Sequence, residues 1–271
     1  MTHIPYAEMH AFSDGTAPFT GNPAGVCLLE AFPADAVMLG IAASNNLSET
    51  AFLVDQGDDH WDLRWFTPTV EVALCGHATF ASGAYLFEKS MVTGNKAIFT
   101  TKSGELTVAR VSADRFAMDL PAVPYSTANP DPIVIEALGA GEPIETVNVN
   151  RVHGADYQMM VFADEATVAN MKPDQSLLKS AFTNVIVTAR GQNVDFVSRF
   201  FAPASGVAED PVTGSAHCTL APFWSEKLGR PRLSARQIGP RPGALEVEPV
   251  GDRVMLTGRA TCYLEGEIRL L

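Results

Sequence analysis

Short runs of alternating apolar and polar residues recur along the chain and predict many short β-strands. Alternation with a period of two places one face of a strand in a core and the other face outside it. The runs lie at residues 8–12, 26–29, 50–54, 61–66, 105–111 and 245–250. The pattern therefore indicates a chain rich in short strands.

Two longer segments are apolar on nearly every side and predict buried helices. These are residues 77–89 and 215–228. A helix without a polar face belongs in a core. Pro222 is expected to kink the second helix or interrupt one of its hydrogen bonds. A further short helix is expected at residues 33–45.

The chain contains an internal repeat. RWFTP at 64–68 resembles RFFAP at 199–203, and GHAT at 76–79 is matched by GSAH at 214–217. Two more pairs follow in the same order: KSGELTV at 102–108 with RPGALEV at 241–247, and DR at 114–115 with DR at 252–253. All offsets lie between 135 and 139 residues, which favours two homologous halves over chance matching.

The repeat predicts two domains, residues 1–122 and 123–271, joined through the proline-marked stretch 121–129. The final strand is expected to pack back on the first domain. Each half would hold one central helix wrapped by short strands. The expected fold class is therefore α+β, with two pseudo-symmetric β-barrels or rolls.

The charge balance excludes several classes of partner. The chain has 271 residues, with 19 Lys and Arg against 31 Asp and Glu, and a formal net charge of −12. Nucleic acids and anionic membrane surfaces attract clusters of Lys and Arg, and the sequence contains none. Its longest apolar runs fall short of the roughly 20 residues that span a bilayer, and its start lacks the pattern of a secretory signal. We expect a cytoplasmic protein that acts on a small molecule, without nucleic-acid or membrane partners.

The cysteine pattern argues against a metal site. Cys27, Cys75, Cys218 and Cys262 are widely separated and form no CxxC pair. This spacing is typical of reduced thiols and not of a disulfide framework or a zinc site. The sequence also lacks the GxGxxG, GxxxxGK[ST] and HExxH motifs. We therefore expect no metal and no other cofactor.

Each predicted central helix begins at a glycine, Gly76 or Gly214. The first turn of a helix has unpaired N–H groups and a partial positive charge, and both attract carboxylates. Two such ends facing one cleft between the halves would hold a small acid. The alternative is that both glycines only serve tight turns.

Several titratable side chains lie next to these helix starts. Glu49 precedes an apolar strand, where partial burial would let it exchange protons near neutrality, or it is simply exposed. Asp210 lies before the second helix, either in a wall of the cleft or in a solvated turn. His77 is an acid, an orienting donor or an ordinary helix-start residue. Cys75 precedes Gly76, where a thiolate would be stabilised.

The second half lacks a matching thiol. The residue equivalent to Cys75 is Thr213, whose hydroxyl does not titrate in a useful range. A symmetric two-thiol mechanism therefore lacks its second thiol.

These motifs together resemble the phenazine-biosynthesis PhzF-like family, whose relatives include diaminopimelate epimerase and proline racemase. The matching blocks are GNPAGV at 21–26, LSETAF at 47–52, RWFTP at 64–68, LCGHAT at 74–79 and EDPVTGSA at 209–216. The resemblance implies a diaminopimelate epimerase-like fold, no cofactor, a site between two domains and often a homodimer. In the phenazine member, one Glu shuttles a proton between two carbons of the cyclic dienyl amino acid dihydro-hydroxyanthranilic acid.

The resemblance also assigns roles to individual residues. The shuttling Glu matches Glu49, and the supporting residues match His77, Asp210 and Ser215. Gly76 and Gly214 match the glycines that bind the substrate carboxylate, with Cys75 and Thr213 beside them. The expected function is a cofactor-independent isomerase. The alternatives are an epimerase or racemase that uses Cys75 with Glu49, and a small-molecule binding protein without catalysis.

Overall fold

A computed structural model describes residues 2–150, 157–181 and 183–270. In chain order the strands are β1 (Thr2–Ser13), β2 (Asn22–Leu29), β3 (Glu49–Gly57), β4 (His60–Phe66), β5 (Glu71–Val72), β6 (Lys96–Thr101), β7 (Gly104–Arg110), β8 (Arg115–Pro121), β9 (Tyr125–Thr127), β10 (Glu145–Val149), β11 (Tyr157–Val161), β12 (Val185–Arg190), β13 (Phe196–Ala202), β14 (Val207–Asp210), β15 (Leu233–Gln237), β16 (Gly243–Val250) and β17 (Arg253–Leu270). The helices are α1 (Asp35–Asn45), α2 (Gly76–Glu88), α3 (Pro132–Leu138), α4 (Glu165–Asn170), α5 (Gln175–Ser180) and α6 (Gly214–Leu228).

The chain forms two compact units. The first comprises Met1–Asp119 and Thr257–Leu271, and the second comprises Leu120–Leu256. The first unit thus combines two distant stretches of the sequence, because the later part of β17 pairs antiparallel with β1.

The first unit is a closed ring of eight strands. The ring runs β1, β2, β3, β4, β6, β7, β8 and β17, and β17 pairs with both β8 and β1. Two neighbouring pairs are parallel, β2 with β3 and β4 with β6. Helix α2 packs against β1, β2, β3, β6 and β7, so it lies inside the ring.

The second unit repeats this pattern of pairing. Strands β10, β11, β12, β13, β15 and β16 pair in that order, with the parallel pairs β11–β12 and β13–β15 at the equivalent positions. Helix α6 takes the place of α2 and packs against β15 and β16. In chain order, α4 and α5 connect β11 to β12, as α1 connects β2 to β3 in the first unit.

Helix α2 is packed too tightly for larger residues at its centre. Every residue from His77 to Phe87 is buried. At Gly83 a Cβ atom would lie 2.5 Å from Val108 Cβ on β7. Glycine is therefore required there by the close approach of helix and strand.

A partly buried arginine–glutamate pair recurs at equivalent positions of the two units. In the first, Arg64 Nε and Nη2 donate to the two carboxylate oxygens of Glu71, each at 2.8 Å. In the second, Arg199 binds Glu209 in the same two-pronged way, at 2.7 and 2.8 Å. Each pair fastens a short strand, β5 or β14, to its longer neighbour just before a central helix begins.

The Arg64 guanidinium holds the Glu71 carboxyl in its ionised form. Hydrogen bonds from Arg64 lower the pKa of Glu71 to about 2, and Lys102 acts in the same direction. The pair thus keeps its charges throughout the neutral pH range.

Helix α6 carries a fully buried histidine. His217 has no exposed surface, and its Nδ1 donates to the Thr213 carbonyl at 2.8 Å. Burial lowers the pKa of His217 to about 4, against a smaller opposing effect of the Thr213 hydrogen bond. The ring is therefore neutral at pH 7.

The three predicted helices are confirmed as α1, α2 and α6, and Pro222 lies within an α6 that continues past it. The stretch 121–129, expected to connect the two halves, also contains strand β9, which pairs with β10. Sequence periodicity also missed α3, α4 and α5, which are six or seven residues long. In the part of the chain that the structure describes, no helix is both long and apolar enough to cross a membrane.

Gly83→Ala should lower the free energy of unfolding by about 1–3 kcal/mol, because the added methyl group overpacks the contact with Val108. Gly40→Ala is the matched control, since Gly40 lies in α1 and a methyl group added there would meet no other atom within 4 Å. It should raise the stability by about 0.5–1 kcal/mol through helix propensity. Urea unfolding measures both, and equal effects of the two substitutions would contradict this packing.

His217→Asn should flatten the dependence of stability on pH between about 6.5 and 4. The unfolded chain binds a proton at this histidine near pH 6.5, but the folded chain does so only near 4. Folding therefore loses stability as the pH falls through this window, by roughly 3 kcal/mol for a shift of that size. Asn retains a donor for the Thr213 carbonyl and does not titrate. Urea unfolding at a series of pH values tests this, and an unchanged slope in the variant would refute it.

Candidate functional site

The start of α2 has no side-chain cap. Cys75, the N-cap residue, is extended (φ −143°, ψ 107°) and makes no capping hydrogen bond through its side chain. The short helices α3, α4 and α5 are instead capped by Asp131, Asp164 and Asp174. Side-chain caps occupy first-turn N–H groups, and the Cys75 side chain does not occupy those of α2.

Glu49 is brought to this helix start by the sheet. It is the first residue of β3, and β3 pairs in parallel with β2 so that Glu49 lies beside Ala24. Its carboxylate Oε2 is 3.4 Å from Nε2 of His77, the second residue of α2. The Glu49 side chain is 19% exposed, so the carboxylate is partly buried and still accessible.

His77 is a neutral neighbour to this carboxylate. Burial lowers the pKa of His77 to about 4, while a contact with the Pro23 backbone acts in the opposite direction. A neutral imidazole orients a carboxylate or a substrate through hydrogen bonding, without the charge neutralisation that a cation would impose. Arg64 and Arg199 provide that neutralisation to Glu71 and Glu209 instead.

Cys75 completes the cluster in the first unit. Its Sγ lies 3.6 Å from Nδ1 of His77. One donor atom from each of Glu49, Cys75 and His77 lies within 4.8 Å of the others. The expectation of no metal rested on spacing along the chain, whereas the fold brings these three residues together.

The second unit builds a different helix start from equivalent positions. Thr213 is the N-cap residue of α6, and its hydroxyl donates to Asp210 Oδ2 at 2.5 Å instead of capping the helix. Gly214 and Ser215 then form the first turn, Gly214 buried and Ser215 partly exposed. This helix start offers N–H groups and hydroxyls, but no thiol.

Gln237 is a residue of this site that sequence reasoning missed. It is 1% exposed and lies at the end of β15. Its side-chain oxygen accepts from the Thr213 N–H at 2.9 Å, and its Nε2 donates to the Asp210 carbonyl at 2.6 Å and to Thr213 Oγ1 at 3.2 Å. Gln237 thereby fixes the turn from Asp210 to Thr213. A lone Gln in a strand carries no signal from which this role could be predicted.

The predicted site residues thus fall into two groups, one in each unit. Glu49, Cys75, Gly76 and His77 lie together at the start of α2. Asp210, Thr213, Gly214 and Ser215 lie together at the start of α6.

Comparison with known proteins identifies the fold. A hydroxyproline epimerase from Agrobacterium vitis matches with a TM-score of 0.62 at 12% identity, over 98% of this chain and 92% of that one. A phenazine biosynthesis protein of the PhzF family from Enterococcus faecalis matches with a TM-score of 0.91 at 40% identity, over 99% and 100% of the two chains. The fold is the α+β, diaminopimelate epimerase-like architecture expected from the sequence.

The sequence matches are equally extensive. Residues 9–266 match the family model described as phenazine biosynthesis-like protein. A Pseudomonas aeruginosa protein named as an uncharacterized isomerase is 48% identical over 265 residues, covering 97% of this chain and 98% of the relative. The chain therefore belongs to the phenazine biosynthesis-like (PhzC–PhzF) family, and it is an isomerase of that family.

Proposed function

We propose that the chain is a cofactor-independent isomerase that moves a proton between two carbons of a small cyclic or unsaturated amino or hydroxy carboxylic acid. Glu49 is the general acid and base. Its carboxylate removes a proton from a carbon activated by the substrate's carboxylate and double bonds. The electron pair moves into that conjugated system, and the Glu49 carboxyl returns the proton to another carbon.

The observation that carries this proposal is the position of Glu49 beside neutral His77, 3.4 Å away, at an uncapped helix start. A proton shuttle must accept and release its proton repeatedly, which a carboxylate held in a bidentate arginine pair does poorly. His77 serves to orient Glu49 and to hydrogen-bond the substrate amine or hydroxyl.

The helix start supplies the recognition of the acid. The first-turn N–H groups at Gly76 and His77 bind the substrate carboxylate, and Gly76 has no side chain to obstruct a close approach. Such local dipoles are needed because the protein's net charge of −12 repels an anion at long range. A helix end contributes about 0.3–1 kcal/mol when exposed and up to ~2 kcal/mol when partly buried.

We propose that the residues at the start of α6 are the second group of substrate-binding residues. Gly214 and Ser215 offer further N–H groups to an acid, and Asp210 orients a substrate amine or hydroxyl. The hydrogen bonds from Thr213 and Gln237 support this role, because they hold the Asp210 turn in one conformation.

A second candidate is an epimerase that uses Cys75 and Glu49 as unlike bases. It is favoured by the contact of 3.6 Å between Cys75 Sγ and His77 Nδ1, because an imidazole beside a thiol is a common way to activate it. It is disfavoured by Thr213, which stands where a second thiol would be required. We therefore rank it below the Glu49 mechanism.

We further propose that the protein is a cytoplasmic homodimer. The four cysteines are free thiols, which fits a reducing compartment, and the dimer is the form that the family resemblance implies.

Glu49→Gln should lower kcat about 10²–10⁴-fold, the usual contribution of a positioned acid–base group. The amide is nearly isosteric but cannot carry the proton. NMR monitors the incorporation of deuterium from heavy water into a panel of small cyclic and unsaturated amino and hydroxy acids.

Glu8→Gln is the matched control. Glu8 pairs with His10 at 3.0 Å, so it is another glutamate–histidine pair of the same unit, on β1, and its loss should leave turnover unchanged. Equal activity in Glu49→Gln and the unmodified protein would refute the role of Glu49.

Cys75→Ser separates the two candidate mechanisms. If Glu49 alone shuttles the proton, the variant should stay within about tenfold of the unmodified protein, because Ser preserves the size of the side chain. If Cys75 is one of two bases, turnover should fall about 10²–10⁴-fold. Cys262→Ser is the control for loss of a partly exposed thiol elsewhere.

A further inference from the structure

The start of α2 combines three kinds of metal-binding group. Glu49 provides a carboxylate, Cys75 a thiol and His77 an imidazole, and their donor atoms lie within 4.8 Å of one another. Among the residues that the structure describes, these three form the one such group found. Three protein ligands of this mixed type, with a further position left to water, are typical of accessible zinc sites.

The donor atoms lie close to one another, but not yet at the separations of a tetrahedral ion. Zinc bonds of about 2.3 Å to sulfur and about 2.0–2.1 Å to nitrogen or oxygen place neighbouring ligand atoms roughly 3.3–3.6 Å apart. Cys75 Sγ lies 3.6 Å from His77 Nδ1, whereas Glu49 Oε2 lies 3.4 Å from the other ring nitrogen, Nε2. Because an imidazole binds one ion through one nitrogen, only one of these two separations belongs to the ligand set. One donor atom from each residue still lies within 4.8 Å of the others, so the ligand at the opposite edge of the His77 ring has to approach by roughly 1 Å or more to reach the ion.

Two of the ligands belong to the start of α2, and the third comes from β3. Cys75 and His77 are fixed by the backbone of α2 and are each 6% exposed. His77 Nε2 is buried, and within the described ranges it makes no hydrogen bond of normal geometry. The longer Glu49 side chain comes from a different element, and its 19% exposure gives a metal ion a way in.

We propose that Glu49, Cys75 and His77 form a binding site for a borderline-soft divalent cation of the zinc type. A sulfur–metal bond forms, the thiol proton passes to solvent, and no group changes oxidation state. Mg²⁺ and Ca²⁺ are excluded, because they prefer oxygen ligands alone. Where Glu49 is the proton shuttle, as proposed above, the ion occupies that carboxylate and inhibits the isomerase reversibly.

Cobalt(II) is the probe, because a thiolate ligand gives it a charge-transfer absorption band that other ligands do not. The untagged full-length protein should bind one equivalent of Co²⁺ with this band, and Zn²⁺ should displace it, while Mg²⁺ should not. Absence of the band in the unmodified protein would overturn the site without reliance on any variant.

Substitutions identify the ligands. Cys75→Ser should abolish the band, and His77→Gln should weaken Zn²⁺ binding at least about tenfold in titration calorimetry. Cys262→Ser should retain both the band and the affinity. A band that survives Cys75→Ser, or disappears in Cys262→Ser, would overturn the proposal, and circular dichroism establishes that each variant is folded.

The experiments distinguish a failure of the metal site from a failure of the proposed function. Binding of the cation is measured without substrate, so it stands or fails independently of catalysis. Deuterium exchange in the presence of Zn²⁺, and after removal of the ion with a chelator, then measures inhibition. A Zn²⁺ complex that still exchanges would leave the metal site intact and would count against Glu49 as the base.

Discussion

The structure depends on the burial of a helix inside a ring of strands. Because α2 touches strands on several sides, none of its residues from His77 to Phe87 can face water. Hydrogen bonds within the helix pair the backbone N–H and C=O groups of its interior, but they leave the N–H groups of its first turn without a partner inside the helix. This helix therefore presents polar groups to a ligand at its ends. Chemistry in the first unit is thereby concentrated at Cys75, Gly76 and His77.

The two units share this architecture but differ in the chemistry of their helix starts. Both use a bidentate Arg–Glu pair to fasten the strand before the helix. Beyond that frame, Cys75 and His77 occupy positions that Thr213 and Ser215 occupy in the second unit. The repeat therefore preserves the structural support of the site, while at these two positions one copy carries a thiol and an imidazole and the other carries hydroxyl groups.

Much of this could be predicted from the sequence, for identifiable physical reasons. Continuous apolar character made α2 and α6 recognisable, and the repeat of RWFTP and RFFAP revealed two halves. The helices α3–α5 were missed because one or two turns give too little periodicity, although Asp131, Asp164 and Asp174 are the N-cap residues from which they could have been recognised.

The assembly of the site was harder to predict than its members. Glu49 and His77 are far apart in the sequence, and they meet because β3 pairs with β2 and α2 packs against both strands. The resemblance to the family linked them, but spacing alone did not. Gln237 had no signal at all, because its role rests on both ends of one amide reaching the same turn.

The path of β17 has a consequence for biosynthesis. Its later residues complete the first ring by pairing with β1, yet the ribosome makes them after every other strand of that ring. Domains generally fold during translation from the N-terminus onward. The first ring cannot close until β17 has left the ribosome, so one edge of β1 stays unpaired until then. The nascent chain therefore carries an exposed strand edge, which favours aggregation, throughout the synthesis of the second unit.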